Sequence, residues 1–98
     1  MNILENLAFS QERPSVCPIQ RTDKTNYFAI GLLEGQILKK HTTNTPSLLT
    51  VLTGELEFFI NGESIYLKEF DTYDIPVLVV HEVKGMKDKN IFTIVQEK

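Results

Sequence analysis

Glu55-Leu56-Glu57-Phe58-Phe59-Ile60-Asn61-Gly62-Glu63-Ser64-Ile65-Tyr66-Leu67 is the stretch that decides the fold. Leu56, Phe58 and Ile60 alternate with Glu55 and Glu57. A period of two places the apolar side chains on one face of a strand and the carboxylates on the other. Asn61-Gly62 follows at once, and Asn-Gly is the strongest short-range signal for a tight hairpin, because both central residues of a primed turn need positive φ. Ser64 to Leu67 is the returning strand. Upstream, Leu48 to Thr53 reads as another strand, with Gly54 as the turn or kink between the two.

The same grammar continues in both directions. Ser15 to Gln20 predicts a first strand, which Pro18 confines to an edge or a bulge. Tyr27 to Glu34 is apolar and aromatic, Gly35 punctuates it, and Gln36 to Thr42 follows. Asn44-Thr45-Pro46 marks a loop. Asp71 to Ile75 runs up to Pro76, and Val77 to Val83 and Asn90 to Glu97 complete the set, joined by the polar stretch Gly85 to Lys89. Short strands at a spacing of roughly 8–12 residues predict an all-β sandwich or barrel. Helical readings fail from residue 15 onward, because the β-branched and aromatic residues alternate by two. At the N-terminus, Asn2-Ile3-Leu4-Glu5 has the form of a capping box, and Ile3, Leu4, Leu7 and Ala8 share a helical face. Pro14 disfavours helix at Arg13. The expected organisation is a helical or extended segment over residues 1–14 and a barrel over residues 15–98. The apolar set Ile3, Leu4, Leu7 and Phe9 is expected to pack on the barrel or on a partner.

The chain has 98 residues, enough for one domain, with 10 Lys+Arg against 13 Asp+Glu and a net charge of −3. That balance argues against nucleic acid or an anionic membrane as partner, since both need a concentrated positive surface. The lone Cys17 cannot form an internal disulfide and fits a reducing compartment. The first residues carry no basic run like that of a signal peptide, and the longest apolar runs, such as Val77 to Val80, are far too short to cross a bilayer. A cytoplasmic protein is the expectation. No phosphate-binding glycine loop or nucleophile elbow is present, and only residue type would support a triad of Ser47, His81 and Asp71.

His41 and His81 are the only histidines, and each falls in a predicted strand. The residues around them resemble the two motifs of the cupin family. The first family motif is glycine, five residues, His-x-His, three or four residues, Glu, six residues and glycine. Here the same spacing reads Gly35, His41, Thr43, Ser47 and Gly54. The second is glycine, five residues, Pro-x-Gly, two residues, His, three residues and Asn, which becomes Phe70, Pro76-Val77-Leu78, His81 and Gly85. The spacing agrees from about Ile30 to the C-terminus, whereas residue identity departs at several positions.

The resemblance implies a cupin double-stranded β-helix, a jelly-roll barrel of the small cupin 2 conserved-barrel type with a short N-terminal helical turn. It also implies a homodimer formed through strand contacts and exchange of N-terminal segments. In the family, the histidines and glutamate of these motifs hold one divalent metal in the lumen. Position by position, this chain offers His41, Thr43, Ser47 and His81. Imidazole suits iron, zinc, copper and nickel, but hydroxyls stay protonated and offset little charge. Even the loss of outer-shell partners reduces metal affinity roughly 10–100-fold, so losing two direct ligands costs at least that factor twice. If His41 points inward, alternation sends Ile37, Lys39 and Thr43 inward with it, and Val79 and Val83 flank His81. An inward Lys39 would repel a cation or pair with a ligand's carboxylate; outward, it would only discourage edge aggregation.

The expected pocket therefore comprises His41, Thr43, Ser47, His81, Lys39, Val79 and Val83. It carries either no cofactor or a weakly bound divalent metal on His41 and His81, and it takes a small-molecule ligand. Two alternatives stay open: a metal-dependent enzyme of dioxygenase or isomerase type using His41 and His81, and a structural or interaction module with no pocket. Glu55 and Glu57 are expected on the solvated face, and Cys17 as a small structural residue.

Overall fold

The computed structural model describes the backbone of all 98 residues and the side chains of all but Lys40 and His41. One helical turn, α1 (Ile3–Asn6), precedes nine strands: β1 (Ser15–Arg21), β2 (Thr25–Leu33), β3 (Ile37–His41), β4 (Ser47–Thr53), β5 (Glu55–Ile60), β6 (Glu63–Lys68), β7 (Thr72–Ile75), β8 (His81–Gly85) and β9 (Lys89–Glu97). Two antiparallel sheets face each other. One has the order β1-β2-β9-β4-β7 and the other β3-β8-β5-β6. The predicted jelly-roll is the observed architecture.

The hairpin that decided the fold behaves as read. Asn61 and Gly62 both adopt positive φ, at 54° and 76°, and β5 pairs β6 in unbroken register from Glu55 with Lys68 to Ile60 with Glu63. Leu56, Phe58 and Ile60 enter the core between the sheets, with Leu32, Leu49, Val51, Leu67, Val83 and Phe92 around them. Glu57 lies on the outer face, where its carboxylate accepts from Ser64 Oγ at 2.7 Å and Tyr66 Oη at 3.4 Å. Pro18 sits in the edge strand β1, and the register against β2 slips immediately after it. Proline cannot donate to a ladder, so edge and irregularity arrive together.

Asn2 caps α1 by accepting from Glu5 N at 3.0 Å, and the helix stops after one turn as Leu7 becomes extended. Leu7 is buried with Cys17, Ala29 and Ile91 on the outside of the five-stranded sheet, and Ile3, Phe9 and Ile19 pack around them. Three members of the predicted apolar cluster thus cover the barrel, while Leu4 is exposed.

One strand differs from expectation. The sequence predicts a strand over Val77–Val83, but β8 begins only at His81. Pro76 lacks an N–H, and Leu78 takes a left-handed φ of 63° that no strand accommodates. The Leu78 amide instead donates to Thr43 O at 2.7 Å, joining the β7–β8 loop to the β3–β4 loop at one end of the barrel.

Candidate functional site

Register builds the site. In the five-stranded sheet, Phe28, Ile94, Leu49 and Tyr73 stand opposite one another across β2, β9, β4 and β7. Two residues further in lies the row Ile30, Phe92 and Val51, and two residues further out the row Asn26, Gln96, Ser47 and Ile75. Residues two apart on a strand share a face, so the inner surface of this sheet passes from polar to apolar along its strands. Across from it, the four-stranded sheet supplies Leu38 and Val83.

Between them lies a cavity of about 280 Å³. Its floor is made by Phe28, Ile30, Leu49, Phe92 and Ile94, and its edge by Thr42, Thr43, Ser47 and Gln96. The polar edge is hydrogen-bonded within itself. Gln96 Nε2 donates to Ser47 Oγ at 3.2 Å, and Ser47 Oγ and Thr43 Oγ1 both donate to Thr45 O, at 3.4 and 3.1 Å.

Of the predicted pocket, Thr43, Ser47 and Val83 line this cavity. His81 and Val79 line a second one of about 270 Å³, with Phe59, Asn61, Gly62, Val80 and Glu82, beside the β5–β6 hairpin. His81 is 2% exposed, and its ring stacks on Phe58 with centroids 5.3 Å apart and planes inclined by 14°. Its Nδ1 is 3.1 Å from Val79 O. A carbonyl only accepts, so that nitrogen carries the proton.

Lys39 is where the sequence reading needs correction. It is exposed, and its neighbour Leu38 faces the cavity. Leu38 pairs with Val83 and His41 pairs with His81, so β3 takes three residues over a span that β8 covers in two. This irregularity breaks the alternation on which Ile37, Lys39, His41 and Thr43 were assigned one face. The His41 side chain, and with it that residue's part in the predicted pocket and metal site, lies outside the described residues; its backbone lies opposite His81.

Among the described residues no three His, Cys, Asp or Glu side chains come together, and the Thr43 and Ser47 hydroxyls, which both donate to one carbonyl, are neutral donors that offset little of a divalent ion's charge.

Two residues escaped the sequence reading. Gln96 extends the inward alternation of Phe92 and Ile94, a signal available in the period itself. Asn90 is fully buried, and its amide accepts from Glu55 N and Lys87 N and donates to Leu32 O and Lys87 O, all at 2.9–3.1 Å. It sits on the same alternation, two residues before Phe92, but the period does not say which groups it bonds.

No protein-family model and no curated protein matches the chain. Solved structures do. An uncharacterized protein with a double-stranded β-helix domain from Klebsiella pneumoniae aligns with a TM-score of 0.90 at 22% identity, over 99% of this chain and 87% of that one. An RmlC-like cupin from Shewanella frigidimarina gives 0.78 at 15% identity, over 86% and 75%. A cupin 2 conserved barrel domain protein from Leptotrichia buccalis gives 0.87 at 17% identity, covering all of this chain and 47% of that one.

Proposed function

We infer the function of this chain from its site, since what it shares with its structural neighbours is the cupin double-stranded β-helix fold. A fold of this kind hosts many chemistries, so function has to be argued from the site. We propose that this protein binds a small molecule in the cavity between its sheets without a resident metal, and that it does so as a homodimer. The observation that carries the binding reading is the cavity itself. It is a recess of about 280 Å³, partly open to solvent, with a hydrogen-bonding edge over an apolar floor. Concave, mostly apolar sites with a few placed polar groups are the usual form of ligand pockets.

The test is a titration of isotope-labelled protein with a fragment library, followed by amide shifts. Binding in the cavity moves Thr43, Ser47, Leu49 and Gln96 together. A library whose hits all map to other surfaces, or that yields none, overturns the reading. Stoichiometric iron, zinc, manganese or nickel in dialysed native protein overturns its metal-free part.

A second reading, a metal-dependent enzyme, is favoured by one observation: the β3–β8 register sets the backbones of His41 and His81 opposite each other. It requires bound metal that is lost in both His41→Ala and His81→Ala, together with turnover.

A further inference from the structure

We infer that the guest of this cavity is an uncharged amphiphile carrying a hydroxyl, carbonyl or amide group at one end; the inference rests on the small-molecule-binding reading above. Size comes first. An apolar cavity of about 150 Å³ accepts benzene, so one of about 280 Å³ has room for roughly ten to twelve non-hydrogen atoms.

Polarity follows from the register. Successive inward rows are two residues apart, about 6.7 Å along the strands. The row containing Gln96 and Ser47 offers hydrogen bonds, and the next two, Phe28–Ile94–Leu49 and Ile30–Phe92–Val51, offer none from their side chains. A guest lying along the strands therefore meets donors and acceptors at one end and hydrocarbon over the rest. Ser47 Oγ accepts from Gln96 and donates to Thr45 O, so a second lone pair remains, and Gln96 has one further N–H and its side-chain oxygen. The edge can thus both donate and accept, which suits a hydroxyl or an amide.

Charge is disfavoured at both ends. Among the described residues, no Asp, Glu, Lys or Arg lines the cavity, so a carboxylate or ammonium would find no counter-ion among them. An ion without a partner in such surroundings is costly compared with a neutral group of the same shape.

Matched probes test this on the wild-type protein: phenethyl alcohol, hydrocinnamate, phenethylammonium and ethylbenzene, each titrated into isotope-labelled protein. Phenethyl alcohol is expected to shift the Ser47 and Leu49 amides and the Gln96 side-chain amide. It should bind at least about tenfold more tightly than either ion. Ser47→Ala should weaken the alcohol roughly three- to tenfold and leave ethylbenzene unchanged. An ion that matches the alcohol at these same residues overturns the inferred class while leaving small-molecule binding intact. Equal weakening of alcohol and hydrocarbon by Ser47→Ala overturns the assigned orientation. Failure of all four probes to move these residues overturns this inference and the binding reading together.

Discussion

Phe70 and Leu78 hold left-handed backbone, with φ of 72° and 63°, while their side chains are 84% and 70% exposed. A side chain in that region costs about 1–2 kcal/mol, and little burial offsets it here. Both amides are engaged, Phe70 N with Val51 O and Leu78 N with Thr43 O, and glycine would keep those bonds. Against glycine's entropy cost of roughly 0.5–1 kcal/mol, Phe70→Gly and Leu78→Gly are each expected to stabilise by about 0.5–1 kcal/mol in urea unfolding. Gly35 and Gly54 have φ of 79° and 83°, so all four glycine positions of the family spacing share one backbone conformation. Spacing made these sites legible; residue type hid two of them. Asn90 was illegible for a different reason. Its bonds reach Leu32, Glu55 and Lys87, partners that only the folded chain brings together. Asn90→Ala leaves buried backbone groups unpaired and is expected to cost about 3 kcal/mol by the same assay.

Elements were easier to read than their faces. Strand positions followed from alternation and turn residues, and the β5–β6 hairpin from Asn61-Gly62 alone. The inward face of β3 did not follow, because a one-residue irregularity reverses alternation without altering composition, and Lys39 was misassigned with it. The N-terminal segment shows how an element without periodicity is held. Phe9 lies across Gly31, where an added Cβ would come within 2.8 Å of its ring, and the Lys89 ammonium sits 5.4 Å from that ring's centroid. Leu7 and Cys17 share the small cluster beneath. Leu7→Ala is expected to destabilise by about 2–4 kcal/mol, and faster modification of Cys17 by a thiol reagent would show that the segment has loosened. Unchanged Cys17 reactivity would mean that Leu7 does not hold the cover in place.

For the whole molecule, two cavities divide the predicted site. Thr43, Ser47 and Val83 line one cavity, and His81 and Val79 line the other. Spacing in the sequence brought these residues to one barrel, where the His81 ring stacks on Phe58. On the outside of the five-stranded sheet, Leu48 and Val95 stand opposite each other and, with Leu52, are exposed. The proposed homodimer predicts twice the chain mass in sedimentation equilibrium at micromolar concentration, with Leu48→Lys shifting it to the monomer. A wild-type monomer refutes it. The bond from Leu78 N to Thr43 O is a latch between two loops that each cross from one sheet to the other. Its proton can trade with deuterium from solvent only while the loops are parted, so the exchange rate at Leu78 is a clock for how often that end of the barrel gapes, and a seated guest should slow it.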